Sequence, residues 1–230
     1  MPLDFSVLLR DDAPQMLVHG IVLMLELTAL AWVLSMVLGT LLALVRMGRS
    51  RIAQGAVAAW VEYHQNVPML VQVFLWYFGI STLLPAGMQA WLNQHGGEFT
   101  FATIALGLAT SAYMSESLRG GIRAIPAAQI EAARALGLTY LQSFRHVVFP
   151  QAFRIALPTL INHTVLLFKN TALAMTIGVA ELMYATREIE SRTFKTAEIY
   201  LLATVVYLAI SLLIMAGGSM AERRLRMAAR

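Results

Sequence analysis

Three consecutive polar residues, Lys169-Asn170-Thr171, interrupt a long apolar run and are the first candidates for chemistry in this sequence. An ammonium, an amide and a hydroxyl group side by side can bind a carboxylate by charge and by hydrogen bonding. Ionisable residues within apolar segments are costly to bury and are therefore functional candidates by default. The alternative is that Lys169 donates to backbone carbonyls of a neighbouring helix and stabilises the fold.

Four more polar side chains lie in or beside apolar runs: Asn66, Gln72, Tyr113 and Glu116. Tyr113 and Glu116 are three residues apart, so on a helix they would share a face and could line a path for a polar solute. Glu116 could instead pair with Arg119, one turn further on. Asn66 and Gln72 could line the same path, or they could form hydrogen bonds that join neighbouring helices.

Covalent and metal-dependent catalysis have no candidate residues here. The sequence contains no cysteine, which excludes thiol chemistry and cysteine-ligated metals. The five histidines lack the spacing of metal ligands, and the H-E-x-x-H pattern is absent. The G-x-x-x-x-G-K-S/T loop that cradles nucleotide phosphates is also absent. We therefore predict a chain that is not an enzyme and that binds no metal or cofactor itself.

The composition is that of a membrane protein. Hydrophobic residues make up 58% of the 230 residues and charged residues 13%, whereas soluble domains contain about 25% charged residues. Leucine, alanine and methionine dominate, and the apolar runs are too long for strands, so the predicted fold class is an all-α integral membrane protein with a single domain, residues 1–230. The N-terminal residues lack the basic segment and cleavage site of a removable signal peptide.

Five transmembrane helices are predicted from the apolar stretches. A helix needs about 20 apolar residues to cross a bilayer, and the stretches that meet or approach this length are 20–45, 67–84, 99–118, 150–182 and 197–221. The fourth stretch is longer than one span needs, and Pro158 and Lys169-Asn170-Thr171 interrupt it.

Basic residues are distributed unevenly among the segments that connect these spans. Twelve of the 17 lysines and arginines lie between spans one and two, between spans three and four, at the start of span four, or after span five. Cytoplasmic segments carry an excess of basic residues, so the N-terminus is predicted to lie outside and the C-terminus in the cytoplasm. For the basic C-terminal run RRLR we expect contact with anionic membrane lipid and no nucleic acid.

The polar segment between spans three and four, about 119–150, is predicted to form a helix, a glycine turn and a second helix. Pro126 suits a first helical turn, and the following run AAQIEAARAL consists of strong helix formers. Gly137 fits a left-handed residue at a helix C-terminus. Thr139 can cap a second helix over about 140–148, which Pro150 is expected to end.

The first of these helices could bind another protein or lie on the lipid headgroups. Ala128, Ala132 and Ala135 share one face and would allow a partner to approach the backbone closely. Glu131 and Arg134 could pair with each other or with that partner. In the protein-binding hypothesis the helix inserts into a groove, and in the lipid hypothesis its arginines contact phosphates. The residue pattern alone leaves both hypotheses open.

The spacing within this segment resembles the signature loop of the membrane subunits of ABC importers. That pattern reads E-A-A-x-x-x-G, nine further residues, and I-x-L-P. This chain carries Glu131, Ala132, Ala133, Gly137, Val147, Phe149 and Pro150 at the matching positions. The similarity extends over about residues 62–224 and is to the polar amino acid branch, where the segment EYHQNVPMLVQVFLWYF resembles glutamate/aspartate permeases. One departure is Gln65, where the family usually has arginine.

The resemblance implies a type I ABC importer-like fold in a bacterial cytoplasmic membrane. Two such chains, either copies or paralogues, would surround the translocation path, and each would bind an ATPase subunit that holds ATP and Mg. An extracytoplasmic binding protein would deliver the amino acid. The coupling helix that contacts the ATPase would include Glu131, Ala132, Ala133, Arg134 and Gly137.

A secondary transporter driven by an ion gradient is the alternative function. Such a protein would also carry polar groups within its spans. It would have no use for the segment from Glu131 to Gly137, and its uptake would not depend on ATP.

Overall fold

Ten α-helices account for most of residues 3–227, the part of the chain that the computed structural model describes. Arg230 and the side chain of Arg226, which belong to the basic C-terminal segment, lie outside this description. No strand occurs among the described residues, in agreement with the all-α prediction. The helices are α1 Ala13–Arg46, α2 Arg51–Asn66, α3 Met69–Phe74, α4 Ala86–Gln94, α5 Gly97–Arg123, α6 Ala127–Ala135, α7 Tyr140–Ser143, α8 Phe149–Asn170, α9 Leu182–Thr193 and α10 Thr196–Met227.

The central helix is α5, which packs against α1, α2 and α8. Its buried faces consist largely of small residues, including Ala102, Ala105 and Ala109. At Gly121, an added Cβ would collide with the backbone carbonyl of Ala152 in α8. Small residues let helices in a membrane approach each other closely, so α5 can contact its neighbours on several sides.

Within the described residues, two helices, α1 and α10, are long and apolar enough to cross a membrane individually. Two bent pairs also meet this criterion when each is taken as one span: Arg51–Asn66 with Met69–Leu83, and Tyr140–Ile177 with Leu182–Thr193. Although α5 has 27 residues, it is not among these candidates, and its small and hydroxyl side chains face other helices. The five-span topology therefore stays a prediction.

The predicted second span, 67–84, begins at a sharp corner. The preceding polar stretch is the end of a helix, Arg51–Asn66, and Met69–Leu83 is bent from it by 109°. Val67 is extended with φ −93° and ψ 129° because the residue before a proline, here Pro68, is sterically disfavoured in the helical region. The corner places the polar end of α2 against the start of α3.

The predicted glycine turn after α6 is present. Gly137 has φ +82°, and its N–H donates to the carbonyl of Arg134 at 2.9 Å. The N–H of Leu138 donates to the carbonyl of Ala133 at 3.2 Å. These two bonds form a Schellman motif, which satisfies the last carbonyls of the helix and requires a left-handed residue at Gly137.

As predicted, Thr139 caps the second helix of the segment, which begins at Tyr140. The hydroxyl of Thr139 accepts a hydrogen bond from the N–H of Gln142, and the side chain of Gln142 accepts one from the N–H of Thr139. This reciprocal capping box stabilises the helix N-terminus.

The prediction that Pro150 ends this helix is wrong. The chain stays helical from Tyr140 to Asn170, through a π-helical turn at Phe144–Val148. There the N–H of Phe149 donates to the carbonyl of Phe144, five residues back. This wider turn accommodates the ring and the missing N–H of Pro150 without a break. The glycine turn is consequently connected to α8 by continuous helix.

The interruption predicted at Lys169-Asn170-Thr171 is present. The α8 helix ends at Asn170, and a 3₁₀ segment follows over Thr171–Ile177. Gly178 then adopts φ +94°. Pro158, by contrast, lies inside α8 without ending it. The fourth predicted span is therefore regular up to Asn170 and irregular beyond it.

Candidate functional site

An open groove of about 460 Å³ lies between α5 and α8, and we call it the α5–α8 groove. On the α8 side the lining residues recur at helical spacing and so share one face. The groove is lined by Ile155, Ala156, Thr159 and His163 of α8, by Tyr113, Glu116, Ser117, Gly120 and Gly121 of α5, and by Gln65 of α2.

A smaller cavity of about 70 Å³, which we call the polar cavity, adjoins this groove because Tyr113 and His163 line both. The two rings have centroids 5.4 Å apart. The hydroxyl of Tyr113 donates to the carbonyl of Gln65 over 3.5 Å. The remaining polar residues of the cavity wall are His64, Gln72, Thr110 and Asn170. Three predicted path residues, Gln72, Tyr113 and Asn170, thus converge on one cavity.

The amide of Gln72 stabilises the corner between α2 and α3. Its Nε2 donates to the carbonyls of His64 at 3.1 Å and Val67 at 2.8 Å. Its Oε1 lies 2.5 Å from Nδ1 of His64, and Nδ1 is the donor because an amide oxygen only accepts. Gln72 is 1% exposed. Two roles were predicted for Gln72: lining the path and joining neighbouring helices. The observed contacts are those expected for the second role.

Glu116 is already paired within the chain. The guanidinium of Arg119 contacts both carboxylate oxygens, with Nε at 3.0 Å from each, as the spacing of the two residues predicts. Arg46 at the end of α1 adds a second contact, with Nη1 at 3.2 Å from Oε1. The negative charge of Glu116 is therefore compensated where it borders the groove.

The other predicted path residues do not line the groove or the cavity. Asn66 is exposed and donates to the carbonyl and the carboxylate of Glu62, at 2.7 and 3.0 Å. Lys169 is exposed, and none of the hydrogen bonds among the described residues uses its side chain. Thr171 is fully buried and donates to the carbonyl of Phe168 at 2.7 Å. Of the three interrupting residues, only Asn170 borders the cavity.

The structure adds His64 and His163 to the candidate site. The spacing of the histidines in the sequence argued against metal binding and gave no reason to place them on the path. His163 precedes Asn170 by seven residues, or about two helical turns, so their common face could have been inferred. His64 reaches the cavity only because the chain turns sharply at Val67.

The segment around α6 presents its charged groups outward. Glu131, Ala132, Arg134 and Gly137 are exposed, and neither Glu131 nor Arg134 forms an ion pair within the described part of the chain. Ala133 is only 3% exposed because it packs on its own chain, and its contact with another subunit stays a prediction.

Large apolar side chains lie exposed beside these charges. The exposed fractions are 82% for Leu136, 78% for Tyr140 and 72% for Leu141. We call this surface, formed by Glu131, Arg134, Leu136, Tyr140 and Leu141, the exposed turn. Such a combination of apolar, aromatic and charged groups is typical of a protein-binding surface.

Comparison with known proteins identifies the family. The model of the family described as "Binding-protein-dependent transport system inner membrane component" matches residues 35–227. The chain belongs to this family of ABC transporter permeases. The permease is 36% identical over 191 residues to the nopaline transport system permease protein NocM of Agrobacterium fabrum, covering 83% of this chain and 79% of that protein. It is 31% identical over 212 residues to the glutamate/aspartate import permease protein GltJ of Escherichia coli K12, covering 90% and 86%.

The permease also has the same fold as a protein of known structure. A crystal structure of an amino acid ABC transporter with histidines superposes with a TM-score of 0.84 at 30% identity, covering 97% of this chain and 100% of that chain. The permease therefore has the type I ABC importer fold and is the membrane component of an amino acid importer. The relatives' names cover chemically different amino acid compounds, nopaline and glutamate/aspartate.

Proposed function

We propose that the permease forms one half of a translocation path for polar amino acids and couples it to ATP hydrolysis on a separate subunit. The most direct support is that the exposed turn joins the two helices that line the groove. The α5 helix precedes the turn in the chain, and α8 follows it. The α5 helix ends at Arg123, four residues before α6, and the chain from Tyr140 to Asn170 is continuously helical. Movement of the exposed turn would therefore move the groove walls that carry Tyr113 and His163.

The exposed turn fits a protein groove better than a lipid surface. Glu131 would be repelled by anionic headgroups, whereas in a protein groove it can pair with a basic residue. Leu136, Tyr140 and Leu141 supply the apolar contacts that anchor a short helical segment in a groove. We assign this contact to the ATPase subunit, on which ATP and Mg would be bound.

A second permease, either a copy or a paralogue, would close the open side of the α5–α8 groove. Polar wall residues such as Tyr113, His163 and Gln65 would be costly if they faced lipid hydrocarbon. A facing subunit removes this cost and encloses a path between the two chains. The proposed arrangement has five spans, with the N-terminus outside, where a binding protein delivers the substrate, and the C-terminus in the cytoplasm.

The groups along the path support a proposal for the substrate class. Tyr113, His163 and Asn170 supply hydrogen-bond donors and acceptors for the carboxylate and ammonium groups of an amino acid. Among the residues that line the groove and the cavity, Glu116 is the one acid, and two arginines compensate its charge. A cationic side chain would therefore find no free counter-charge, and this supports a neutral or acidic amino acid such as glutamate or aspartate.

The test is reconstitution of the permease in liposomes with its ATPase and binding protein. ATP hydrolysis and uptake would be measured across acidic, neutral and basic amino acids. We expect ATP-dependent uptake that is stimulated by one class of loaded binding protein. Uptake that persists without ATP and collapses with an ionophore would instead identify an ion-gradient-driven transporter.

A further inference from the structure

A second recess, distinct from the α5–α8 groove, lies where α1 and α5 end. Its volume is about 530 Å³, and we call it the arginine recess. Three of its wall residues are arginines, one is a glutamine and two are apolar. The recess is lined by Arg46, Met47, Gln54, Arg119, Ile122 and Arg123.

The arginine recess carries an uncompensated positive charge. Glu116 is shared by Arg46 and Arg119, and Arg123 forms no ion pair among the described residues. Three guanidinium groups and one carboxylate leave a formal charge of +2 from these residues. Arg46 and Arg119 are partly buried, with side chains 25% and 20% exposed, so Glu116 holds both guanidinium groups in fixed positions.

We place the recess near a membrane surface because of the length of α1. The α1 helix has 34 residues and is about 51 Å long at about 1.5 Å per residue, which exceeds the hydrocarbon thickness of about 30 Å. Arg46 is its last residue. Leu44 and Val45, directly before it, are 44% and 42% exposed. Met47 and Ile122 are the apolar residues of the recess wall itself.

We propose that the arginine recess binds the phosphate of an anionic phospholipid headgroup, whose acyl chains contact Leu44 and Val45. Guanidinium groups match phosphate oxygens with paired hydrogen bonds, and basic pockets between membrane helices are typical headgroup sites. A simpler role for the arginines would be to neutralise the carbonyl ends of α1 and α5. No hydrogen bond from Arg46, Arg119 or Arg123 to a backbone carbonyl is present in the described part of the chain. The apolar wall residues Met47 and Ile122 favour a lipid over free phosphate.

The test is native mass spectrometry of the full-length chain, alone and in its assembled complex, titrated with phosphatidylglycerol or phosphatidylethanolamine. Arg123→Gln removes a charge that is outside the Glu116 pairs and should leave the fold intact. Because one basic residue near a headgroup contributes about 1 kcal/mol, phosphatidylglycerol should dissociate about fivefold more readily. Arg123→Lys should bind within about twofold of wild type, since it keeps the charge. Arg145→Gln, at an exposed arginine outside the recess, is the matched control and should bind like wild type.

Three results would overturn the proposal. Equal weakening by Arg123→Gln and Arg145→Gln would mean that the arginines attract the lipid by general charge and form no specific site. Displacement of the lipid by inorganic phosphate would assign the recess to a soluble anion. Loss of the lipid from the wild-type chain on assembly would assign it to a protein subunit. None of these results depends on which amino acid is transported, so the lipid site and the transport function fail or succeed separately.

Discussion

The aromatic rings of Tyr113 and His163 lie with their centroids 5.4 Å apart, across the contact between α5 and α8. Both residues line the α5–α8 groove and the polar cavity next to it. Because the exposed turn connects their two helices, we expect a displacement of the turn to change the spacing of this pair. The relationship links the substrate path to the surface that we assign to the ATPase.

His163→Ala should weaken substrate handling without weakening the fold. A hydrogen bond to a charged amino acid group contributes about 1.5 kcal/mol or more, so the KM for uptake should rise about tenfold while the unfolding temperature stays close to that of wild type. His19→Ala, an exposed histidine of α1 outside the groove, serves as control. An unchanged KM in the His163 variant would remove this residue from the path.

Gly137→Val should uncouple ATP hydrolysis from transport or prevent assembly. An added Cβ at this residue would meet no other atom, so the effect arises from the backbone, which is held at φ +82°. A left-handed conformation costs a residue with a side chain about 1–2 kcal/mol, and a β-branched residue is especially unsuited to it. Gly137→Asn should be milder. Normal uptake per ATP hydrolysed in the valine variant would show that the coupling assignment is incorrect.

Glu131→Ala and Arg134→Ala should weaken binding of the ATPase subunit and leave the isolated permease stable. Neither side chain has an ion-pair partner within the described residues, so truncation removes no intrachain ion pair. If each is paired in the interface, its loss should cost about 2 kcal/mol or more of binding free energy. Co-purification and titration with the ATPase measure this, with exposed Arg49→Ala as control. Equal affinities for all three variants would favour the lipid-surface hypothesis for α6.

Gln72→Leu should destabilise the permease, because it leaves the carbonyls of His64 and Val67 without their donor. An unsatisfied buried polar group costs about 1–3 kcal/mol, which thermal unfolding in detergent would report. Gln54 also donates to a carbonyl, that of Gly48 at 2.7 Å, but at an exposed position, so Gln54→Leu should have a much smaller effect. A stable Gln72→Leu variant with an altered KM would show a path role in place of the structural one.

Gly121→Ala should separate α5 from α8. The new Cβ would overlap the carbonyl oxygen of Ala152, and overpacking of this kind costs about 1–3 kcal/mol. At the neighbouring Gly120, nothing lies within 4 Å of an added Cβ, so Gly120→Ala should be neutral or slightly stabilising through helix propensity. Similar unfolding temperatures for the two variants would contradict the close approach of the helices.

Local patterns predicted much of the fold. The Schellman turn at Gly137 and the capping box at Thr139 depend on residue types a few positions apart, so they were readable from the sequence. The interruption after Asn170 was predicted for the same reason. The continuation of the helix through Pro150 was not predicted, because the π-helical turn that accommodates this proline leaves no signature in residue types alone.

The sequence by itself determined the membrane class, the helical segments and the exposed turn, since composition, periodicity and capping act over short distances along the chain. Only the tertiary structure decided which polar side chains remain available to a solute. Arg46, 70 residues from Glu116, compensates that carboxylate, and the corner at Val67 directs Gln72 back to His64. Which side chains form ion pairs and hydrogen bonds with each other depends on which helices pack together. The groove that Tyr113 and His163 line is formed by the packing of α5 against α8. The sequence alone gives no sign that these two residues lie close together.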